Sequence, residues 1–192
     1  MPRQSEAKII TVLGMRRCGK STLTQILAKD HPRIIVFDTV NEWAGTHQVR
    51  TFEEFSNIGR EIFNQPIYII AVKFGIESSE EKIVETQAKI TELIYRTGVD
   101  SEQETTIIFE EVQFYLPNHG LHHINKHLLT TGRHAYINII ANSQRPALVS
   151  KALISQSEEI YIGPLYEYND IKYLSGTIGE LADIVSEIPM RT

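Results

Sequence analysis

The sequence GMRRCGKST, residues 14–22, has the residue types and spacing of a loop that binds phosphate. Gly14 is followed by four residues and then by Gly19, Lys20 and Ser21, which is the pattern of such loops. The backbone N–H groups of such a loop surround a β-phosphate, the lysine reaches the β- and γ-phosphates, and the serine ligates Mg²⁺. The residues predicted to bind the nucleotide are Gly14, Met15, Arg16, Arg17, Cys18, Gly19, Lys20, Ser21 and Thr22.

Three residues inside the loop have no fixed role in that chemistry. Cys18 lies at a predicted helix N-terminus, a position that can make a thiol reactive and would suit a redox site. A small residue at a variable loop position is the simpler interpretation, and it is the one we expect. Arg16 and Arg17 could contact phosphate or a neighbouring subunit, or could simply face solvent, and the sequence leaves these alternatives open.

An acidic pair, Glu110 and Glu111, directly follows the apolar run IIF. A carboxylate at the end of such a strand can hold Mg²⁺ through water, and a second one can polarise an attacking water molecule. From their order, we predict that Glu110 binds Mg²⁺ together with Ser21 and that Glu111 is the catalytic base. A protein that supplies its own base for water hydrolyses the nucleotide, so the pair favours hydrolysis over transfer to a small molecule.

Polar residues also follow the next apolar run, in TGRHAYINIIANSQRP. Ser143, Gln144 and Arg145 stand where this strand should end, and a polar side chain there can contact the γ-phosphate or the lytic water. Arg133 precedes the same strand and should therefore lie near the opposite edge of the sheet. From there it could serve a neighbouring subunit's nucleotide, in trans, or be an ordinary surface arginine.

Short apolar runs alternate with helical patterns along the chain. Runs that are apolar on both faces and separated by helices predict an α/β fold, with a mostly parallel sheet flanked by helices. Ligands bind at the carboxyl ends of the strands in such sheets, which is where the polar residues fall. The predicted strands are 8–14, 33–38, 66–74, 105–111, 136–143 and 158–163, and the predicted helices are 21–29, 51–64, 78–98, 123–132, 169–176 and 179–188.

The composition restricts the classes of function. The chain has 192 residues, which suits a single domain over 1–192, and a net charge of -5. Nucleic acid would therefore meet only a local basic patch or the basic lining of a ring. A single cysteine excludes an internal disulfide, and the polar N-terminus lacks the apolar core of a signal peptide. No apolar run approaches the roughly 18 residues of a membrane span, so we expect a cytoplasmic protein with no membrane span.

Four segments together carry a family resemblance: GMRRCGKST, IIVFDTVNEW, IIFEEVQFYLP and GRHAYINIIANSQRPALVSKAL. In order and spacing over roughly residues 8–163, they resemble the HerA/FtsK superfamily of P-loop ATPases. Within that superfamily, the chain is most similar to the compact genome-packaging ATPases of tailless double-stranded DNA viruses with internal membranes. The resemblance implies a three-layer P-loop NTPase fold of the RecA/ASCE type and a ring-forming motor that uses ATP to thread duplex DNA.

The same resemblance implies partners and roles for individual residues. Lys20 and Ser21 would bind ATP and Mg²⁺, and Glu111 would be the catalytic base. Gln144 would be the sensor and Arg133 the arginine finger in trans, with Arg145 as the rival finger. The implied partners are double-stranded DNA, further copies of the chain in a homo-oligomeric ring, and capsid or portal-vertex proteins. The implied location is the cytoplasm of an infected host cell or the virion.

Three features depart from the family pattern. Glu110 stands where the family usually has an aspartate, and the extra methylene could shift the Mg²⁺ geometry. The sequence ends soon after its last predicted strand, where family members often add another strand. No added DNA-tracking domain is visible, so any contact with DNA must come from short loops.

Five of the seven histidines occur in NHGLHHINKHLLTTGRH. His123 and His127 are one helical turn apart, a spacing that can bind zinc, but the cluster contains no cysteine or acid. A solvated polar segment is the default interpretation. A pore-facing segment that contacts DNA phosphates with Lys126 and Arg133 is the alternative, and such contacts would be salt-sensitive and independent of sequence.

Three other classes of function fit parts of the sequence. A nucleoside or nucleotide kinase should carry an arginine-rich lid, whereas only Arg191 follows residue 146 here. A filamentous-phage assembly ATPase usually carries a membrane span. A non-enzymatic, nucleotide-dependent assembly switch would not hydrolyse ATP steadily.

Overall fold

The computed structural model describes residues 7–45, 47–75 and 78–179, in which strands and helices alternate. The strands are β1 (Ile9–Leu13), β2 (Arg33–Asp38), β3 (His47–Val49), β4 (Tyr68–Lys73), β5 (Thr105–Phe109), β6 (Ile137–Ser143) and β7 (Glu159–Ile162). The helices are α1 (Lys20–Ala28), α2 (Phe52–Ile62), α3 (Glu80–Ser101), α4 (His123–Thr131), α5 (Lys151–Gln156) and α6 (Tyr168–Ile178), with 3₁₀ turns at Val112–Phe114, Gly132–Ala135 and Pro146–Leu148.

The seven strands form one parallel sheet in the order β3-β4-β2-β5-β6-β1-β7. Two features of this order position the site. Strand β1, which leads into the phosphate loop, lies between β6 and β7. Strand β5, which leads into the acidic pair, lies on the far side of β6. All these strands run in one direction, so their polar ends meet at one edge of the sheet.

The sheet is the middle of three layers. Residues alternate between its two faces along each strand, and both faces are covered by other elements. In β2, Ile35 and Phe37 pack on the face covered by α2, α3, α4 and α5. Ile34 and Val36 pack on the other face with Ala28 of α1 and with Trp43. The predicted class, a three-layer α/β fold with a mostly parallel sheet flanked by helices, is confirmed.

The observed elements differ from the predicted ones in three places. The sheet has a strand that was not predicted, β3, whose three residues are too short for a periodic pattern. Helix α5 was also not predicted. The helix predicted at 78–98 was expected to stop at its last residue, Gly98, but α3 continues to Ser101. The glycine has a packing role instead, because a Cβ at this position would collide with the carbonyl of Ala135. The helix predicted at 179–188 lies outside the described residues, apart from its first residue.

Two predicted helix starts are confirmed. The Thr51 side chain accepts a hydrogen bond from the Glu54 N–H at the start of α2. The Ser79 side chain accepts one from the Lys82 N–H at the start of α3. Within the described ranges, no helix is both long enough and apolar enough to span a bilayer.

Candidate nucleotide-binding site

The predicted phosphate loop is fixed on both sides at the carboxyl end of β1. On one side, the Gly14 N–H donates to the Ser143 carbonyl at the end of β6, at 3.2 Å. On the other side, the Met15 N–H donates to the Pro164 carbonyl after β7, at 2.8 Å. These two bonds hold the entrance of the loop in register with both neighbouring strands.

The start of α1 has the features of an anion site. Its N-cap is Gly19, at φ 90°, which has no side chain to bond the first N–H groups of the helix, and the first turn contains no acid. The uncapped N–H groups and the helix dipole both favour a negative ligand. Lys20 is 9% exposed, and its ammonium donates to the Met15 carbonyl at 2.9 Å, so the ammonium lies across the loop, where phosphate oxygens would bind.

Cys18 has a packing role in this loop. A Cβ added at Gly14 would lie 2.6 Å from the Cys18 Sγ, and one added at Gly163 would lie 3.2 Å from it. The thiol therefore occupies the space that these two glycines leave between the loop and the segment after β7. This contact explains a small residue at position 18. Arg16 and Arg17 are exposed at the tip of the loop, with Arg17 in the left-handed region at φ 66°.

Glu110 is the first residue beyond β5 and is buried, with 1% of its surface exposed. Both carboxylate oxygens accept hydrogen bonds. The Trp43 Nε1–H donates to Oε1 at 2.7 Å, and the Asn142 Nδ2–H donates to Oε2 at 2.6 Å. Two donors from different segments thus fix this carboxylate.

The Trp43 side chain is positioned by Asp38, at the end of β2. The Asp38 carboxylate accepts from the N–H groups of Glu42 and Trp43, at 3.1 and 3.0 Å, and lies 3.7 Å from the Lys73 ammonium. Asp38 is fully buried. It therefore closes the turn that carries Trp43 over the sheet to Glu110.

Asn142, in β6, links the three parts of the site. Its Nδ2–H group donates to Thr24 Oγ1 of α1 at 3.2 Å as well as to Glu110. Its Oδ1 accepts from the Glu111 N–H at 3.0 Å. One buried amide thus connects the helix that follows the phosphate loop to both glutamates.

Glu111 is placed differently from Glu110. It is half-buried and adopts the left-handed conformation at φ 54°, uncommon for a residue other than glycine. Its Oε2 accepts from the Gln113 Nε2–H at 2.9 Å and from the Gln144 N–H at 3.4 Å. Both of these bonds fall on Oε2, so Oε1 is the oxygen that is placed to accept from a water molecule.

The spacing of the strands suits a phosphate and a water molecule. Strand β6 separates β5 from β1, so the ends of β1 and β5 lie about 10 Å apart at the usual strand separation. Glu111 follows β5, and the phosphate loop follows β1. The gap between them has the width needed for a γ-phosphate and an attacking water.

The structure brings most of the predicted site residues together and separates one of them. The residues at the carboxyl edge are Gly14 to Thr22, Glu110, Glu111, Gln144 and Arg145. The Arg145 guanidinium lies 3.1 Å from the Asp170 carboxylate and 3.7 Å from that of Glu167, so residues of its own chain engage it. Arg133 is exposed in the turn before β6, at the opposite edge, as its sequence position predicted.

Three residues of the site were not predicted as site residues: Trp43, Gln113 and Asn142. Gln113 bridges the site, because its Nε2–H donates to Glu111 while its Oε1 accepts from the Ser143 hydroxyl at 2.7 Å. Trp43 is the only tryptophan of the chain, and Asn142 is a polar residue inside an apolar run. The single tryptophan and the polar residue in an apolar strand were the features of the sequence that could have indicated these two site residues.

The residues present fit Mg²⁺ bound with a nucleotide. Mg²⁺ is usually held by one or two carboxylates together with substrate phosphates, and the Ser21 hydroxyl and Glu110 supply hard oxygen ligands of that kind. In the described part of the chain, no group of three or more His, Cys, Asp or Glu side chains is arranged to hold a metal ion. The predicted zinc alternative for the histidines therefore has no support there, although the rings of His122 and His123 lie 4.4 Å apart.

Burial raises the pKa of Glu110, and the hydrogen bonds from Trp43 and Asn142 partly oppose this. The nearby carboxylates of Glu42 and Asp38 raise the pKa further. When an acid has a higher pKa in the folded state than in the unfolded state, the free energy of unfolding falls as the pH rises from the unfolded-state pKa through the folded-state pKa. Ionised Glu110 therefore destabilises the fold, and a bound cation would offset this effect.

Glu110→Gln should remove this pH dependence. We expect the variant to gain stability relative to the wild type as the pH is raised from about 4 to about 8, because only the wild type has a buried carboxyl to ionise. Urea unfolding at several pH values, without Mg²⁺ or nucleotide, measures the difference. Glu61→Gln, on the exposed surface of α2, is the matched control. Parallel curves for Glu110→Gln and the wild type would contradict the prediction.

The comparisons with known proteins agree with this geometry. The genome-packaging NTPase B204 of Sulfolobus turreted icosahedral virus 2, in complex with ATP-gammaS, is similar with a TM-score of 0.68 and 17% identity, over 96% of this chain and 88% of that one. A second structure of B204, the DNA-packaging ATPase from Sulfolobus turreted icosahedral virus, is similar with a TM-score of 0.67 and 18% identity, over 99% of this chain and 90% of that one. The chain has a P-loop NTPase fold.

A less similar structure matches most of the chain. The N-terminal domain of zonular occludens toxin from Neisseria meningitidis has a TM-score of 0.51 and 17% identity, over 82% of this chain and 77% of that one. No protein-family model and no curated protein sequence matches the chain. The expected resemblance to packaging ATPases is thus confirmed at the level of the P-loop fold.

Proposed function

We propose that the chain is an ATP-hydrolysing motor that translocates double-stranded DNA and packages a viral genome into a capsid. The observation that carries the proposal is the position of Glu111, a second carboxylate held at the strand edge, one strand away from the phosphate loop. A protein that only binds a nucleotide has no need of a fixed carboxylate there. The structural likeness to B204, a genome-packaging NTPase, supports the same function.

The residues divide the hydrolysis between them. Lys20 and the N–H groups at the start of α1 bind the β- and γ-phosphates. The Ser21 hydroxyl would ligate Mg²⁺, and Glu110 would hold it through water. When bound, Mg²⁺ neutralises charge on the phosphate oxygens. Glu111 orients water for attack on the γ-phosphorus and accepts its proton, while the bond between that phosphorus and the β–γ bridging oxygen breaks. Gln144, whose N–H donates to Glu111, responds to the loss of the γ-phosphate.

A surface around α4 supplies a contact for DNA phosphates. Residues 117–136 contain no acid, although the whole chain has a net charge of -5. The exposed residues of α4 and the turn after it are mainly basic or titratable: His123, Lys126, His127, Thr130, Arg133 and His134. Such a surface binds the phosphate backbone without reading sequence, which suits a motor that moves along any duplex.

Arg133 supports the proposed ring. Strand β6 has seven residues, so Arg133 lies roughly 20 Å from the carboxyl edge of its own sheet. Its side chain is too short to reach its own γ-phosphate. We therefore propose that it serves the neighbouring subunit. We also propose capsid or portal-vertex proteins as partners. The proposed location is the cytoplasm of an infected cell.

ATPase activity measured across protein concentration, with and without duplex DNA, tests the proposed function. We expect the rate per subunit to rise steeply with concentration, because the site needs a neighbour, and to rise again with DNA. Activity that is independent of concentration and DNA would overturn the motor. ATP hydrolysis without DNA stimulation, but with assembly, would favour an assembly ATPase instead.

Mixing two inactive variants tests the role of Arg133. Arg133→Ala should lose about 10³-fold in turnover, the usual contribution of an arginine finger. Mixed with Glu111→Gln subunits, it should regain activity, because some interfaces then pair an intact Glu111 with an intact Arg133. Arg60→Ala, which removes an exposed arginine from α2, is the control and should retain ATP turnover. Assembled mixtures without recovery would contradict the finger role.

A further inference from the structure

The positions of Glu111 and the phosphate loop set the orientation of a bound triphosphate, and this orientation determines where the nucleoside must lie. The γ-phosphate has to face Glu111, which follows β5, on the β6 side of the phosphate loop. Because the β-phosphate is bound over the end of β1, the α-phosphate and the nucleoside must leave on the other side. The element on that side is β7.

The segment that follows β7, residues 163–168, is in contact with the phosphate loop. The Pro164 carbonyl accepts from the Met15 N–H at 2.8 Å. Gly163 lies against Cys18, since a Cβ built on it would be 3.2 Å from the Sγ. This segment is therefore the part of the chain that a departing nucleoside would meet first.

The backbone of this segment is fixed at both ends. Leu165 is 1% exposed and packs in a small core with Leu13 and Leu174. Further along, Arg145 contacts the carboxylates of Glu167 and Asp170. A segment with such anchors presents its remaining side chains in defined positions.

Two side chains of this segment are aromatic. Tyr166 is 51% exposed and Tyr168 is 71% exposed, so both present surface to solvent on the segment whose Gly163 and Pro164 contact the phosphate loop. The Lys172 ammonium lies 5.9 Å from the centre of the Tyr168 ring, on one of its faces. Exposed aromatic faces are suitable for stacking against nucleobases, and stacking is tolerant of base identity.

We propose that Tyr166 and Tyr168 form the nucleobase subsite, with the base stacked on Tyr166 and Tyr168 bordering it. The proposal rests on the proposed function, because it takes its direction from the γ-phosphate facing Glu111. The ligand is the base of a nucleoside triphosphate, and the phosphate loop binds the triphosphate independently of the base.

Binding of ATP and of inorganic triphosphate, each with Mg²⁺, to the full chain tests the proposal. Tyr166→Ala should weaken ATP binding about tenfold and leave triphosphate binding unchanged, since a stacking contact is lost and the phosphate contacts remain. Tyr166→Phe keeps the ring and should bind ATP like the wild type. The affinity for triphosphate also reports whether each variant is folded.

Three outcomes would be decisive against it. If Tyr166→Ala/Tyr168→Ala binds ATP as tightly as the wild type, the base lies elsewhere and the subsite is overturned. If the wild type binds neither ATP nor inorganic triphosphate, the phosphate site itself fails, and the proposed function fails with it. An equal loss of both ligands in Tyr166→Ala would also overturn the proposal, because the tyrosine would then support the loop and not the base.

Discussion

Replacing Lys20 with alanine should reduce ATP hydrolysis by at least about 10³-fold, because the phosphates lose the cation that neutralises them in the transition state. Lys20 is 9% exposed, and its ammonium lies across the loop at 2.9 Å from the Met15 carbonyl. Steady-state phosphate release with Mg²⁺-ATP measures the loss. Binding of ATP should weaken in the same variant.

Lys29→Ala is the matched control for this experiment. Lys29 is an exposed lysine at the other end of α1, so its loss changes the net charge equally without touching the loop. We expect the control to hydrolyse ATP at the wild-type rate. Turnover retained by Lys20→Ala would remove the basis for placing the triphosphate in this loop.

Replacing Glu111 with glutamine should leave ATP binding intact and lower turnover by about 10²- to 10⁴-fold, the usual contribution of a general base. Glutamine has the same shape, and its carbonyl oxygen can still accept from Gln113 and the Gln144 N–H. It cannot accept a proton from water. Parallel measurements of ATP affinity and of single-turnover hydrolysis separate the two effects.

Glu110→Gln is the informative comparison for this second experiment. Because Glu110 is the proposed metal-binding carboxylate, its loss should raise the Mg²⁺ concentration needed for half-maximal hydrolysis. The loss of Glu111 should not change that concentration. Normal turnover by Glu111→Gln, with turnover lost in Glu110→Gln at saturating Mg²⁺, would show that the two roles are exchanged.

The sequence predicted the fold well because the signals for the sheet are local. Short apolar runs identified six strands, and only the three-residue β3 (HQV) lacked such a run. Gly98 was wrong as a helix stop, since its role is contact with Ala135, a residue distant in sequence. The sequence alone does not show whether a glycine ends a helix or allows a close contact with a residue that is distant in sequence.

Only part of the site was predicted, because only part of it has a local signal in the sequence. The phosphate loop and the acidic pair are continuous in sequence, so their residue types reveal them. The side chains that orient the pair are not continuous with it, because Trp43 and Asn142 lie 67 and 32 residues from Glu110. Only the parallel arrangement of β2, β5 and β6 brings these groups together.

The backbone conformation of Glu111 has a consequence for the energetics of the whole chain. Holding a non-glycine residue at φ 54° costs about 1 kcal/mol of folding free energy. That is a noticeable part of the roughly 5–15 kcal/mol by which domains are stable. The chain thus gives up some thermal resistance to keep a carboxylate at this turn, a trade-off typical of residues retained for reactivity.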